Sequence, residues 1–313
     1  MKNNNDLELD IQLDDEINLS ELVTPLIKHK IKVIIITAVF GIFSVWYSLS
    51  LPNIYRSTAT LAEASNDQAG IAPQGGLASL AGFAGVDLGT REAKDQIALE
   101  LLASLSFYSK IFDDDEWVRI NLFAAERWNP DTNEILYNEK IYSTSQFKWT
   151  RKESFPYKIV PSNQESFLAL MKNTSISKDQ KTGMIKLSFE HVSPFFAKEL
   201  LDKIIYEINS TLRDRDKYEA QRAINYLNTQ ISKTSLIEVK QALSALLQNE
   251  TKKLMLTESR EDYHYTIVDP PFVPEVKNSP KRAIICIIIT IIGFALSFLL
   301  SIFIEKKKDN KLS

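Results

Sequence analysis

Asp113 and Asp115 stand in a D-x-D spacing, which in some sugar transferases holds a divalent ion between two carboxylates. They belong to a block of four acids, Asp113 to Glu116, that closes a helical pattern, and that context favours a helix-ending acidic cluster over a metal site. Histidines at 29, 191 and 264 are isolated and give no metal spacing. The chain contains no G-x-S-x-G elbow and no G-x-x-x-x-G-K-[ST] phosphate loop. Trp117, Trp128 and Trp149 have rings that can stack on sugars, but core packing is the stronger reading. The residue types thus argue against an enzyme: no catalytic residue, no cofactor and no metal are expected.

The elements that position these residues begin with two uncharged apolar stretches, Val33 to Leu51 and Ala283 to Ile304. Each has about the 20 residues that cross a bilayer as a helix. Lys28, Lys30 and Lys32 precede the first span, and Lys306, Lys307 and Lys308 follow the second, which places both ends in the cytoplasm. Lys277, Lys281 and Arg282 lie on the opposite side and are outvoted, because charge governs long translocated segments poorly. The single Cys286 falls inside the second span, so the exported segment carries no disulfide framework. A net charge of −3 gives no footing for a nucleic-acid partner.

Between the spans, Ile54 to Glu63 alternates as a strand, with Tyr55, Ser57, Ala59 and Leu61 on one face. Six of nine glycines fall between Gly70 and Gly89, a stretch that reads as a loop. One amphipathic helix is expected over 92–112, a strand over 184–190 and another over 263–268. From Phe195 to Asp269 no proline or glycine occurs, and apolar residues recur at 197, 201, 204, 208 and 212, then at 220, 224, 227 and 231. Those steps of three and four predict one long helix, with a break at Ser232 to Ser235 and a second helix using Leu236, Val239, Leu243 and Leu246. The fold class expected is α+β: two transmembrane helices flanking a periplasmic domain with a membrane-proximal mixed sheet and a long projecting helical arm. In numbers, the organisation is a cytoplasmic leader 1–32, a span 33–51, a base 52–192 with its glycine-rich loop 70–89, an arm 193–260, a return strand and proline-rich segment 261–282, a span 283–304 and a tail 305–313.

The run from Pro271 through Pro274 to Pro280, Lys281 and Arg282, with Gly293 beyond it, resembles the proline-rich signature before the second span of polysaccharide co-polymerases, the chain-length determinants of bacterial surface polysaccharides. The leader Glu16 to Leu22, which opens a helical pattern running to Ile31, and the strand after the first span are similar to that family as well. The resemblance implies an α/β base, a long periplasmic helix, a ring-like homo-oligomer, and a partnership with a membrane-embedded polymerase that extends a lipid-linked glycan. This sequence departs from the family in a second span rich in isoleucine rather than glycine.

Three groups of residues are singled out for non-catalytic roles. Gly293, Ser297 and Ser301 place small residues on one face of the second span, with Thr37 and Gly41 as the matching face of the first. Pro271, Pro274 and Pro280, with Lys281 and Arg282 among lipid headgroups, form a stiff entry to the bilayer. Arg213, Asp214, Arg215, Asp216 and Lys217 interrupt the apolar stripe, as a solvated face or as a candidate seam between arms of an oligomer. The expected function is regulation of O-antigen length. The alternatives are an adaptor for capsule export, and an adhesion or sensor module with no polysaccharide role.

Overall fold

The computed structural model describes residues 30–64, 91–259 and 263–312. The leader with Glu16 to Leu22 and Lys28, and the glycine-rich stretch 70–89, lie outside them. Two compact units result: the apolar helices α1 (Lys30–Ser50) and α8 (Arg282–Leu312) form one, and the chain between them forms the other. The architecture is therefore mixed α+β, with apolar helices at both ends flanking a central domain.

The central unit is built on a four-stranded sheet in the order β6-β7-β1-β8. Its strands are β1 (Tyr55–Glu63), β6 (Thr174–Lys178), β7 (Ile185–His191) and β8 (Tyr265–Asp269). Every pairing is antiparallel, which corrects the expectation of a mixed sheet. The reason is connectivity. β6 and β7 form a hairpin whose turn needs the left-handed conformation of Gly183 (φ 72°), and β1 leaves one apolar helix while β8 leads back towards the other, so neighbours run in opposite senses.

Ala59 and Leu61 of β1 and Ile185, Leu187 and Phe189 of β7 are buried under helix α6 (Pro194–Lys233). Helices α2 (Arg91–Leu102), α3 (Leu105–Asp114) and α5 (Asn163–Asn173) add to the same core. The single helix expected over 92–112 is broken, because Ser104 Oγ accepts a hydrogen bond from the Phe107 backbone N–H (3.3 Å) and starts α3 afresh. Asp115 caps α4 (Glu116–Ala124) in the same way, and α4 runs into the hairpin of β2 (Ala125–Asn129) and β3 (Glu134–Tyr137), which sequence patterning did not separate from its aromatic surroundings. A two-residue pair, β4 (Tyr142–Ser143) and β5 (Lys148–Trp149), completes the elements.

At 40 residues and 1.5 Å each, α6 reaches about 60 Å. Ala197, Leu201, Ile204, Ile208 and Leu212 are all buried on the sheet, as their spacing predicts. Beyond Leu212 the helix packs against α7 (Ile237–Ser259), an antiparallel return joined by a three-residue break. Leu236 and Val239, expected on the buried stripe of that second helix, are exposed, because they lie at the turn of the hairpin where α6 offers no surface to cover them.

Candidate functional site

The apolar pair α1 and α8 shows where small residues matter. Leu51 lies opposite Arg282, Gly41 opposite Thr290 and Phe40 opposite Gly293, so the helices are antiparallel. Ser297 and Ser301 are buried against α1, as are Ser44 and Ser48 on α1 itself. Ser44 and Ser48 extend the face of Thr37 and Gly41 in helical steps of three and four, a signal present in the sequence. Three of these serines reduce the cost of burial by donating to their own helix, Ser44 Oγ to the Gly41 carbonyl (2.7 Å), Ser297 Oγ to the Phe294 carbonyl (2.7 Å) and Ser301 Oγ to the Phe298 carbonyl (2.9 Å), whereas the Ser48 hydroxyl has no partner among the described residues. The two glycines are not equivalent. A Cβ on Gly41 would meet Thr290 Oγ1 at an ordinary 3.9 Å, whereas one on Gly293 would stand 2.4 Å from Phe40 Cβ. The isoleucine-rich helix thus has, at its one glycine, a contact with Phe40 that no side chain would fit without a shift.

The proline-rich segment lies along the start of β1. Pro271 and Pro274 are buried and Pro280 is half-buried. Prolines have no N–H, so β8 stops at Asp269 and the edge of β1 is completed by other groups. Ser57 Oγ donates to the Phe272 carbonyl (2.7 Å), the Asn278 N–H donates to the Ile54 carbonyl (2.8 Å), and the Ile54 N–H donates to the Ser279 carbonyl (2.9 Å). Glu190 on β7 takes a hydrogen bond from Asn278 Nδ2 (3.1 Å) and an ion pair from Arg56. Lys281 is exposed, and Arg282 donates to the Leu51 carbonyl at 3.5 Å.

The charged run on α6 is largely used within the chain. Asp216 is buried and accepts a hydrogen bond from the Tyr263 hydroxyl (2.9 Å), with Lys253 of α7 at 3.9 Å. Burial, and then the Asp216 charge, push the Tyr263 phenol well above its ordinary value. Lys217 pairs with Glu258 of α7 (3.1 Å) and Arg215 with Glu219 (3.9 Å). Arg213 is half-buried and Asp214 exposed. One turn nearer the sheet, Asn209 interrupts the apolar stripe unnoticed by periodicity. Its Oδ1 accepts from the backbone N–H of His264 (3.0 Å) and Tyr265 (2.8 Å), and its Nδ2 donates to the Tyr265 carbonyl (3.0 Å).

The D-x-D carboxylates have structural partners. Asp113 pairs with Arg119 (3.0 Å), and Asp115 caps α4 through the Trp117 N–H (3.1 Å) while pairing with Lys203 (2.7 Å). Trp149 is buried and donates to Glu116 (2.9 Å), Trp128 meets Tyr55 edge-on, and Trp117 meets Phe196 edge-on. His191 is buried between β7 and α6. It accepts the Ser193 N–H at Nδ1 (3.1 Å), which leaves Nε2 as the donor to the Asn121 carbonyl (3.0 Å), and burial pulls its pKa down from 6.5 to about 4.

Residues 15–114 match the family model described as "Wzz: Chain length determinant protein". The resemblance drawn from the sequence agrees with that match, although the proline-rich segment that carried it lies outside the matched residues. Among solved structures, a full-length bacterial polysaccharide co-polymerase is 14% identical at a TM-score of 0.43, over 93% of this chain and 99% of its own. A fragment of WzzB, the polysaccharide co-polymerase from Salmonella Typhimurium, is 12% identical at a TM-score of 0.33, over 72% of this chain and all of its own. No curated protein matches the chain.

Proposed function

We propose that this chain, whose residues 15–114 match the chain length determinant family, controls the length of a surface polysaccharide as a non-catalytic scaffold. The observation that carries the reading is that match, because it takes in both the first apolar helix and the strand that follows it. Its physical support is the layout: two helices long and apolar enough to cross a bilayer pair in one unit, and a single α+β unit occupies the chain between them. The proposed setting is the bacterial inner membrane, crossed twice, with cytoplasmic termini and a periplasmic central unit.

Within that reading the glycan is lipopolysaccharide O-antigen. The partners are a membrane-embedded polymerase, its lipid-linked glycan and further copies of this chain in a ring. Arg215, Asp216 and Lys217 are engaged within the chain, so a seam between neighbouring arms falls to Arg213 and Asp214. The test is a gel profile of surface polysaccharide from a deletion strain, with and without the chain restored. A shifted band distribution that returns on restoration supports the proposal. An unchanged one overturns it, and glycan trapped inside the cell points instead to a capsule-export adaptor.

A further inference from the structure

We infer that a cleft between the start of α4 and the second to fourth turns of α6 holds a sugar ring of a neutral or amino-bearing glycan. The inference rests on the proposed function for the source of its ligand. The cleft has a volume of about 380 Å³, the size of a small-ligand site, and is lined by Asp115, Trp117, Glu199, Asp202, Lys203 and Tyr206.

Each lining group has a reason to be where it is. Glu199, Asp202, Lys203 and Tyr206 follow the i, i+3, i+4, i+7 spacing that places them on one face of α6, beside the stripe the sheet buries. Tyr206 is 68% exposed and Trp117 36% exposed. Trp117 is held edge-on by Phe196 at a centroid distance of 4.9 Å, so the exposed part of its ring has a fixed orientation. Asp115 is fixed twice, by the Trp117 N–H and by Lys203 at 2.7 Å, and Asp202 is paired with Lys198 at 2.5 Å. Two exposed rings next to pre-oriented carboxylates and an ammonium match the chemistry of a pyranose. Its C–H face is apolar, and its hydroxyls both donate to carboxylates and accept from lysine.

The charge of the lining sets the class of glycan. Lys203 pairs with Asp115 and Lys198 with Asp202, which leaves Glu199 as the surplus charge, so a uronate or phosphate would meet one unpaired carboxylate, whereas neutral or amino sugars would not be repelled. The Asp115–Lys203 pair also occupies the carboxylate that a divalent ion would need.

The test uses the full chain in lipid nanodiscs. Saturation-transfer NMR and calorimetry would be run with uronate-free oligosaccharides released by mild acid from the producing cell's own polysaccharide, and with tetragalacturonate as the acidic counterpart. The expected result is binding of the neutral fragments and not of tetragalacturonate. Tyr206→Ala, which removes an exposed ring, should weaken that binding about tenfold, and Glu199→Lys should narrow the discrimination against tetragalacturonate. Absence of neutral-fragment binding, or binding that Tyr206→Ala leaves unchanged, overturns the site. A deletion strain with an altered glycan profile alongside a failed binding test would discard the cleft and keep the length-control reading. Tyr206-dependent binding without a deletion phenotype would do the reverse.

Discussion

Lowering the pH from 7.5 to 5 should remove about 2 kcal/mol of folding stability through His191 alone. In the folded chain burial holds its pKa near 4, against 6.5 for the free side chain, so between those values the unfolded state takes up a proton that the folded state refuses. Because the folded value is the lower one, this stabilisation is complete above about pH 7.5 and is lost as the pH falls. It reaches about 2 kcal/mol of loss at pH 5 and about 3 kcal/mol once the folded form protonates as well. The structure supplies the reason for the refusal. The lone pair of Nδ1 already accepts the Ser193 N–H, so protonation would set two donors against each other at the cap of α6, in a site that excludes water. The assay is urea unfolding of the full chain in nanodiscs, followed by tryptophan emission at pH 7.5, 6.5, 5.5 and 5.0, for wild type and His191→Asn. The asparagine can still accept from Ser193 but does not titrate in this window. The variant should start less stable and show a shallower fall with pH. Parallel curves for the two proteins would refute the reasoning.

Other perturbations separate residues that look alike in sequence. Gly293→Ala should splay the apolar pair, read as a longer distance between spin labels at 45 and 287 in a Cys286→Ser background, whereas Gly41→Ala should leave that distance unchanged, because only the first methyl would meet Phe40. Asp216→Ala should cost about 2 kcal/mol and raise hydrogen exchange in α7, since it strands the buried Tyr263 hydroxyl, while Lys253 keeps Glu219 at 3.6 Å. Asp216→Asn, which keeps an acceptor for Tyr263, should cost clearly less. Tyr108→Phe should raise thermal stability by about 1 kcal/mol, because the Tyr108 hydroxyl is buried with no hydrogen-bond partner among the described residues.

Features with a period were legible in the sequence. The alternation at Ser57, Ala59 and Leu61 located a strand, and the steps of three and four from 197 to 212 located the buried face of α6. What escaped had no period to show. The break at Ser104 depends on one hydroxyl, and helical propensity runs smoothly across it. The β2–β3 hairpin is short and aromatic, and its strands carry too few residues for alternation to declare itself. The charged run on α6 was read as a surface because charge is usually solvated, yet Asp216 is buried through a partner, Tyr263, 47 residues away. Of the cleft, Trp117 and Asp115 were singled out for other reasons. Glu199, Asp202, Lys203 and Tyr206 were not, since only the neighbouring α4 gives that face of α6 a second wall.

The polar exceptions to the apolar stripe explain how one helix serves both the sheet and the hairpin. Asn209 and Asp216 are seven residues apart, so they share a face of α6 two turns from each other. Their partners are consecutive in the returning chain: Asp216 takes the Tyr263 hydroxyl, and Asn209 holds the backbone of His264 and Tyr265 where the chain bends into β8. The returning chain is therefore pinned to α6 at two points just before it enters the sheet as β8. Sliding β8 along the sheet would break the three Asn209 hydrogen bonds, and lifting α7 would strain the Asp216 site that Lys253 shares. Uncompensated buried amide and carboxylate groups are costly, so the hairpin and the sheet edge should move as one body, or the chain should lose both.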